Sequence, residues 1–359
     1  MSINSKLTMF LTLKDRPNYT KRWLAYASAF NCPFHILIAD GSKTSENEDI
    51  IKSYLSKLDI EYCRYPYDEN YEMYYRKVAD AASKINTPFV IQVDNDDLYD
   101  FSVFSEGLEL LLQDSSYSSC CVQRLVFTVK KPFSISFSPE MPEPSIKLKN
   151  AHERLSYFLD GSRRGVCYNI LRVPFYQKIW RDIVGFDFHD IRSFETLINV
   201  AGYATGNVIA TSSYGFFREC SGQENSSQIE TNTLKEIMNP AWIRDNTIIA
   251  NYVADILMRQ DGFDREDAIK LYFDGMRNTL SQSIVRDLLN DPALTDNRKK
   301  FIRSTVLKDV ISNSLLNKPA RKIYEKLHRM KKKEVCSLPI LPFLEEWYAE
   351  NTSGFSMKS

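Results

Sequence analysis

Residues 88–97 read Pro-Phe-Val-Ile-Gln-Val-Asp-Asn-Asp-Asp, an apolar run that ends abruptly in three carboxylates and an amide. A buried strand with this ending delivers acids to the carboxyl edge of an open α/β sheet, where ligands bind. Hard cations such as Mg²⁺ and Mn²⁺ prefer oxygen ligands, and Mg²⁺ is often shared between carboxylates and substrate phosphates. The same residues also suit a surface turn, because Asp and Asn side chains bond their own backbone there. The segment therefore predicts either a metal site for a phosphate compound or a turn.

Alternating strand and helix signals surround this segment in the N-terminal third of the chain. Short apolar runs predict four strands, at 7–13, 34–39, 60–65 and 88–93. Patterns with helical spacing predict the three intervening helices, at 19–30, 46–58 and 73–85. This rhythm predicts an α/β fold, with a mostly parallel sheet and helices on both of its faces.

The rest of the chain adds further elements and changes character near residue 239. The patterns predict helices at 101–112, 151–159 and 191–201, and strands at 119–129 and 207–217. Four prolines between residues 130 and 144 predict that this segment is not regular structure throughout, which is typical of a functional loop. Three long patterned segments then predict helices at 240–258, 265–289 and 297–328. We therefore expect an α/β domain at 1–230 and a helical C-terminal extension with a basic tail at 231–359.

Bulk composition narrows the function classes. The 359 residues carry a formal net charge of +0 and are 43% hydrophobic, which is typical of a globular protein and gives no global nucleic-acid signal. The 7 cysteines lack paired metal-ligand spacing and suit free thiols in a reducing compartment. The first residues do not form a signal peptide, and no uncharged stretch is long enough to cross a bilayer. We expect a cytoplasmic protein, either free or peripheral on the inner face of the membrane.

Polar side chains follow the first, second and fourth predicted strands. Asp15-Arg16 follows the first strand, Asp40 ends the second, and residues 94–97 end the fourth. In an open parallel sheet, these strand ends meet at the edge where ligands bind. Three unrelated polar turns would give the same pattern, but the joint occurrence favours a ligand site.

These residues resemble the motifs of GT-A-fold glycosyltransferases, close to the large family-2 type. The matching segments are Thr12-Leu13-Lys14-Asp15-Arg16-Pro17 after the first strand, Asp40-Gly41-Ser42 after the second, and the DxD motif Asp94-Asn95-Asp96 after the fourth. More narrowly, the chain resembles a bacterial glycosyltransferase domain that begins with this strand, Arg-Pro and helix signal. The likeness covers roughly residues 7–225 and implies a Rossmann-like GT-A fold.

The resemblance implies a nucleotide-sugar donor, with a UDP-sugar expected. Asp40 would contact the base or ribose, and the loop that holds Thr12, Lys14, Asp15 and Arg16 would line the same nucleotide. The implied acceptor is a saccharide or a lipid-linked molecule. Synthesis of a bacterial surface polysaccharide is the implied setting, and no nucleic acid is expected as a partner.

The resemblance also implies a divalent metal at the DxD motif. Asp96 would bind Mn²⁺ or Mg²⁺ bridging the diphosphate, and Asp94 would contact the ribose or a metal-bound water, with Asn95 beside it on the nucleotide side. Asp97 is a spare carboxylate that could instead cap the next turn. A divalent ion suits this chemistry because it neutralises the charge that develops on a diphosphate leaving group.

Sugar transfer with inversion, which we expect, also needs a base for the acceptor hydroxyl, and a carboxylate suits that role. The resemblance implies an acid near the start of a helix, where Glu195 is the candidate and Asp187 and Asp190 lie close in sequence. The family's Glu-Asp pair is absent because Phe194 precedes Glu195, so a solvated helix residue explains Glu195 equally well. His189 is expected to be a structural residue.

Three arginines are candidates for holding phosphate or an anionic acceptor. Arg163 and Arg164 lie between two glycines, and Arg218 follows a predicted strand. Glu219 could complete the metal site, although a polar linker explains this region equally well.

A basic stretch near the C-terminus suggests contact with a membrane surface. Residues 321–333 carry seven Lys and Arg side chains against one Glu, a local charge of +6 in a neutral chain. Apolar residues and Trp347 follow it. Basic residues beside apolar ones suit anionic membranes, but a solvated helix face is the simpler interpretation.

Two other function classes remain open. Nucleotidyltransferases use a similar sheet and acidic metal site, but they usually carry a Gly-rich phosphate loop after the first strand, and residues 11–19 contain no glycine. A non-catalytic nucleotide-sugar-binding protein would hold the donor without slowly hydrolysing it. Hydrolysis of the donor therefore separates this class from an enzyme.

Overall fold

The acidic-tipped segment forms a central strand that lies directly beside the first strand of the chain. The structure is a computed structural model, and it describes residues 3–130, 134–160, 163–188, 191–221, 237–290, 295 and 338–351.

The described residues form nine strands, ten α-helices and one short 3₁₀ helix at Ile3–Lys6. The strands are β1 (Leu7–Leu13), β2 (His35–Asp40), β3 (Ile60–Arg64), β4 (Phe89–Val93), β5 (Leu98–Tyr99), β6 (Tyr117–Lys130), β7 (Ser134–Pro139), β8 (Ile170–Arg172) and β9 (Asn207–Glu219). The helices are α1 (Pro17–Ala29), α2 (Glu46–Lys52), α3 (Tyr71–Ser83), α4 (Phe101–Gln113), α5 (Ala151–Leu159), α6 (Val173–Val184), α7 (Ile191–Thr205), α8 (Pro240–Asp261), α9 (Arg265–Asn290) and α10 (Ile340–Glu350).

All nine strands belong to one sheet, which has a parallel and a mixed half. The order is β3-β2-β1-β4-β8-β6-β9-β5, and β7 pairs with β6 outside this path. β1 runs parallel to β2 and β4, and β2 runs parallel to β3, so the carboxyl ends of β1, β2 and β4 lie at one edge. β8 runs antiparallel to β4 and β6, while β6 runs parallel to β9. The predicted order of strands and helices in the N-terminal third is confirmed.

Alternating side chains of β1 enter two apolar clusters, one on each face of the sheet. Leu11 belongs to the first cluster, where Trp23 of α1, Phe104 of α4 and Leu344 of α10 are also buried. Phe10 belongs to the second cluster, which α3 and α5 to α9 complete. Helices therefore cover both faces, as predicted, and burial of this apolar surface is the main stabilising term of the fold.

The proline-rich segment at 130–144 is irregular only in part. β7 pairs antiparallel with β6, with Ser134 opposite Lys130 and Pro139 opposite Leu125. Proline is tolerated at the last position of an edge strand because its missing N–H costs no interior ladder bond. The expectation that this segment is not regular throughout is therefore confirmed, with Ser134–Pro139 as its regular part.

Two helix ends differ from the predictions. α2 ends at Lys52, and hydrogen-bonded turns follow it, with the Tyr54 N–H donating to the Ile51 C=O across 2.9 Å. α7 continues through Gly202 to Thr205. A Cβ at Gly202 would lie 2.4 Å from a methyl carbon of Val166, so this glycine permits close packing and does not end the helix. α6 and β8 had no counterpart among the sequence predictions.

The described part of the C-terminal region is helical. α8 and α9 begin where the patterns predicted, and the Asp264 carboxylate accepts the Glu266 N–H across 2.8 Å at the start of α9. α8 packs against α7, and α9 packs against α5. The helix predicted at 297–328 and the basic stretch at 321–333 lie outside the described residues. Among the described helices, none has the length and apolar character that crossing a bilayer requires.

Candidate active site

Residues 94–97 at the end of β4, here called the acidic tip, form both a tight turn and a cluster of carboxylates. The Asp97 N–H donates to the Asp94 C=O across 3.3 Å, so residues 94–97 fold back on themselves. One carboxylate oxygen from each of Asp94, Asp96 and Asp97 lies within 4.8 Å of the other two. The turn and the candidate metal site, which the sequence posed as alternatives, are therefore one structure.

The electrostatics of this cluster suit a bound cation. Burial, followed by the negative charge of Asp96, raises the pKa of Asp94 to about 6. Burial and the charges of Asp96 and Asp94 also raise the pKa of Asp97 well above its usual range. Carboxylates this close resist joint ionisation because their charges repel, and a cation among them removes that penalty. The donor set therefore fits an oxygen-preferring divalent ion.

Arg16 reaches the acidic tip from the loop that follows β1. Its Nη2 lies 3.0 Å from Asp96 Oδ2, and its guanidinium lies 4.3 Å from the centre of the Tyr19 ring. Asp15 and Arg16 both adopt the left-handed backbone, with φ values of 57° and 61°, which costs free energy in residues other than glycine. Pro17 then starts α1. This strained turn directs a guanidinium at the second acid of the DxD motif.

Polar groups beyond the end of β2 hold the strained turn in place. The Asp15 N–H donates to Ser42 Oγ across 2.7 Å, and Asp15 Oδ1 accepts the Lys43 N–H across 2.9 Å. Asn47 Nδ2 donates to the Asp15 C=O across 3.0 Å and to Ser42 Oγ across 2.8 Å. These bonds satisfy backbone groups that the turn itself leaves without partners, and so they fix the position of Arg16.

Asp40 is fully buried, and its carboxylate has partners within the protein. It accepts the Ser42 N–H across 2.9 Å, the Tyr62 hydroxyl across 2.9 Å and Arg64 Nη1 across 2.7 Å. Arg64 also donates to the Ser42 C=O. The sequence indicated Asp40 alone, but the structure presents a group of three side chains here, Asp40, Tyr62 and Arg64.

A second buried ion pair lies next to Gly41. Lys77 and Asp68 are paired, and Lys77 Nζ donates to the Leu13 C=O across 2.9 Å. Burial outweighs their attraction, since the pKa of Lys77 is lowered and the pKa of Asp68 is raised. A Cβ at residue 41 would lie 2.5 Å from the Asp68 carboxylate. The packing at this strand end therefore requires glycine at position 41.

Thr12 and Lys14 lie at the carboxyl end of β1, farther from the acids. The Thr12 side chain lies near the hydroxyl of Tyr74, whose pKa burial raises above its usual range. Lys14 is exposed, and its Nζ lies 5.1 Å from the centre of the Tyr67 ring. Both residues lie at the edge of the sheet formed by the carboxyl ends of β1 and β2, where the nucleotide is predicted to bind, here called the nucleotide edge. Neither has a described contact with the acidic tip.

Tyr168 connects Asp94 to the candidate base Glu195. The Tyr168 hydroxyl donates to Asp94 Oδ2 across 2.9 Å. The charge of Asp94, then burial, then the charge of Glu195 raise the pKa of Tyr168, so Glu195 interacts electrostatically with this tyrosine. The Tyr168 ring also packs against Phe216, with ring centres 6.0 Å apart. Glu195 therefore interacts electrostatically with the tyrosine that contacts the acidic tip.

The other candidate bases have no such link among the described residues. The Asp187 side chain is 85% exposed and lies 3.9 Å from Nη1 of Arg244. Its backbone C=O accepts Nη2 of the same arginine across 2.6 Å. Asp190 and His189 lie outside the described residues. Among these candidates, the structure links Glu195 to the acidic tip, through its electrostatic interaction with Tyr168, and gives no such link for Asp187.

Two neighbours of the acidic tip have their side chains committed elsewhere. Asn95 is buried, and its Nδ2 donates to Thr20 Oγ1 across 3.1 Å, so its amide faces α1 instead of the nucleotide edge. Glu219 Oε2 lies 2.5 Å from Arg22 Nη1. The suggestion that Glu219 completes a metal site is therefore corrected, because this carboxylate neutralises a buried arginine.

Of the three candidate arginines, only Arg218 lies beside the acidic tip. It is half-buried; burial opposes its charge, but the attraction of Asp97 helps to keep its pKa raised. Arg164 instead lies against Glu143, with Nε 3.4 Å from Oε1. Arg163 lies over a tyrosine ring at 4.3 Å. The predicted phosphate role therefore suits Arg218 best.

A large cavity lies away from this edge of the sheet. It has a volume of about 490 Å³ between α5 and α9, and its lining includes Leu159, Phe263, Lys270 and Asp274. None of its lining residues belongs to the acidic tip. We place the candidate site at the acidic tip because carboxylates with raised pKa values converge there. The ionisable residues of the cavity include the Lys270–Asp274 pair, which lies at the helix surface.

Sequence reasoning missed Arg22 and Tyr168. Arg22 is fully buried, and it follows Tyr19 by three residues and precedes Tyr26 by four. That spacing puts all three on one helix face, so a signal for a buried arginine existed. Tyr168 precedes β8 in a segment without periodicity, and nothing local marked it.

Comparisons with known proteins bear on the fold. No family model matches the chain, and no curated protein matches it. Among solved structures, S. aureus TarS 1-349 aligns at a TM-score of 0.51 and 12% identity, covering 86% of this chain and 80% of that one. S. aureus TarS aligns at 0.50 and 12% identity, covering 97% of this chain and 54% of that one. TarS 1-349 in complex with UDP-GlcNAc aligns at 0.49 and 12% identity, covering 86% and 81%.

At 12% identity, the structural similarity to TarS is evidence for the fold and gives no evidence about the substrate. The first two alignments are with a glycosyltransferase of GT-A-like fold, and they extend over most of this chain. Together with the sheet and helices described above, they show that the chain has a Rossmann-like GT-A fold.

Proposed function

We propose that this chain is a metal-dependent glycosyltransferase that moves a sugar from a nucleotide-sugar donor to a saccharide or lipid-linked acceptor. The observation that carries the proposal is the cluster of Asp94, Asp96 and Asp97, whose carboxylate oxygens lie within 4.8 Å of one another. It occupies the carboxyl end of β4 in a GT-A fold, which is where an open α/β sheet binds its ligand. A UDP-sugar is the expected donor.

Asp96 and Asp94 would hold the metal, and Mn²⁺ or Mg²⁺ fits their oxygen ligands. The raised pKa of Asp94 supports this role. Burial and the negative charge of Asp96 disfavour its ionised form, and a bound cation would stabilise that form. When bound, a divalent ion would neutralise charge on the diphosphate leaving group.

The donor nucleotide would lie along the carboxyl ends of β1 and β2. Arg16 is held at this edge and could donate to a phosphate oxygen, as could the half-buried Arg218. Thr12, Lys14 and Asp15 would line the same loop. Their positions at one sheet edge support this arrangement.

The base or ribose would meet Asp40 together with Tyr62 and Arg64, which hydrogen-bond to its carboxylate. Asp94 would face the ribose from the other side. Asn95 would lie beside Asp94 on the nucleotide side, with its amide Nδ2 donating to Thr20.

Glu195 is the proposed base. The acceptor hydroxyl oxygen would bond to the anomeric carbon as the bond from that carbon to the diphosphate oxygen breaks, and the hydroxyl proton would pass to the Glu195 carboxylate. Attack from the face opposite the diphosphate inverts the configuration, which is the outcome we propose. The electrostatic interaction of Glu195 with Tyr168, whose hydroxyl is hydrogen-bonded to Asp94, supports this placement.

The cellular setting is proposed from the sequence resemblance. We propose that the chain belongs to the bacterial subtype described above and works in surface polysaccharide synthesis, on the cytoplasmic side. Contact with the membrane through residues 321–333 is part of the same proposal.

A thermal-shift screen of nucleotide-sugars, with and without Mn²⁺, tests the function. A ligand that binds the folded state raises the melting temperature by mass action, so a true donor gives a shift that needs the metal. Slow release of free sugar from that donor then separates an enzyme from a binding protein. A shift with nucleoside triphosphate and sugar phosphate instead would indicate a nucleotidyltransferase, and no metal-dependent shift with any of these compounds contradicts the proposal.

A further inference from the structure

A buried polar cluster joins the C-terminal helix α10 to the α/β domain. Tyr348 of α10 is 1% exposed, and its hydroxyl accepts a hydrogen bond from Arg22 of α1. The same hydroxyl donates to Glu219 Oε1 across 3.3 Å. Arg22 and Glu219 are themselves 2.5 Å apart, and both are buried. Side chains from α10, α1 and the end of β9 therefore meet in one network.

Two bonds connect this network to the acidic tip. Arg22 Nη2 donates to the backbone C=O of Asp96 across 2.6 Å. The Glu219 N–H donates to Oδ1 of Asp97 across 2.9 Å. Neither bond uses the carboxylate of Asp96, which stays directed at Arg16. The network can therefore fix the position of the turn at residues 94–97 without occupying a carboxylate oxygen of Asp96.

α10 is anchored well enough to hold Tyr348 in place. Ile340 and Leu344 are buried in the first apolar cluster, and the ring of Phe343 lies 5.2 Å from that of Tyr26. A charge buried as deeply as Arg22 needs all of its partners, because an uncompensated charge in the interior is costly. Removing one partner should therefore let the guanidinium shift, and the Asp96 backbone with it.

We propose that Tyr348 is a positioning residue for the metal-binding turn, so that α10 belongs to the catalytic unit. Ligand carboxylates must be held to within about 0.5 Å by the groups behind them, and partners of this kind commonly set metal affinity. Tyr348 acts on Asp96 through Arg22 and on Asp97 through Glu219. The inference rests on the proposed function, since it takes the turn to bind a divalent ion.

The test compares the full-length wild type with Tyr348→Phe and a matched control, Tyr272→Phe. Tyr272 is also fully buried, and its hydroxyl donates to Asn246 Oδ1 across 2.7 Å between α9 and α8. Each variant loses one buried hydroxyl and keeps the ring, but only Tyr348 is linked to the acidic tip. Titration calorimetry with Mn²⁺ in the presence of UDP gives the metal affinity, and thermal unfolding gives the stability.

Tyr348→Phe should bind Mn²⁺ about tenfold more weakly than the wild type, which is the low end for partners that orient metal ligands. Raising the Mn²⁺ concentration should restore UDP binding. Tyr272→Phe should lose comparable thermal stability and keep the wild-type Mn²⁺ affinity. That contrast separates a positioning role from a structural one, because loss of stability alone would not respond to added metal.

Equal Mn²⁺ affinity in Tyr348→Phe and the wild type would overturn the positioning role and leave the proposed function standing. A wild type that binds neither Mn²⁺ nor UDP with Mn²⁺ would overturn both. If Tyr348→Phe does not fold, Glu219→Gln tests the same network, since it removes the charged partner of Arg22 and keeps the side-chain volume and Tyr348 itself. It carries the same expected loss, and unchanged Mn²⁺ affinity there would overturn the inference.

Discussion

The Arg16 guanidinium lies 3.0 Å from the Asp96 carboxylate and so joins the carboxyl ends of β1 and β4. Each partner belongs to a separate motif, and the strained backbone at Asp15 and Arg16 is what brings them together. A guanidinium is a fixed monovalent cation and can exchange with a divalent ion for the same oxygen. We therefore expect Arg16 to lie on Asp96 in the metal-free protein and to turn to a donor phosphate in the complex.

Replacing Arg16 with Gln should separate metal binding from nucleotide binding. Mn²⁺ alone should bind at least as tightly as to the wild type, because the competing cation is gone. UDP binding in the presence of Mn²⁺ should weaken about tenfold, through loss of a charge-assisted hydrogen bond. Titration calorimetry measures both affinities.

The matched control is Arg76→Gln, which removes an exposed arginine that pairs with Glu72 on α3. Its affinities should equal those of the wild type. A large loss of Mn²⁺ affinity in Arg16→Gln would show that the arginine supports the metal site and does not compete with it.

The raised pKa of Asp94 predicts how metal binding depends on pH. Its pKa of about 6 lies above the ordinary value, so the folded chain takes up a proton there as the pH falls through this range. A protonated carboxylate is a poor metal ligand. The raised pKa also affects the stability of the fold without metal. Between the folded and the ordinary pKa of Asp94, the folded state binds more protons than the unfolded state, so the free energy of unfolding rises as the pH falls.

The rise in melting temperature that Mn²⁺ produces should therefore shrink between about pH 7 and about pH 5. Asp94→Asn cannot titrate at this position and should show a smaller Mn²⁺ effect with a flatter pH profile. A Mn²⁺ effect in the wild type that is as large at the acidic end would contradict a ligand role for Asp94.

Gly41→Ala should destabilise the fold at the nucleotide edge. The added methyl would lie 2.5 Å from the Asp68 carboxylate, which is paired with the buried Lys77 and cannot easily move. Overpacking of this kind costs about 1–3 kcal/mol in the free energy of unfolding, measurable by urea denaturation. Gly185→Ala is the control, because a Cβ there meets only a backbone oxygen at 3.4 Å. Equal stability of the two variants would contradict the packing argument.

Much of the sheet could be predicted from the sequence because its signals are local. The apolar runs at 7–13 and 88–93 alternate with helical patterns, and short crossovers leave parallel strands as the natural arrangement. The position of the acids at one edge follows from that arrangement. β8 escaped prediction because a three-residue strand carries little pattern of its own. α6 was overlooked although its buried residues Val173, Tyr176, Ile179 and Ile183 have helical spacing.

The candidate site was predictable only as far as single strand ends allow. Asp40 and Asp96 could be found because they end apolar runs. Their partners could not, since Arg64 reaches Asp40 from the next strand and Tyr168 reaches Asp94 from a segment far along the chain. The link from Tyr348 to Arg22 depends on the C-terminal helix returning to α1, and no local pattern specifies such a return.

Metal-dependent donor turnover by Asp96→Ala tests the central claim most directly. The control is Asp59→Ala, which removes an acid whose side chain is 76% exposed. We predict that Asp96→Ala keeps a wild-type unfolding transition but loses transfer and Mn²⁺-dependent nucleotide binding, whereas Asp59→Ala keeps all three. Near-native turnover by folded Asp96→Ala would contradict the account.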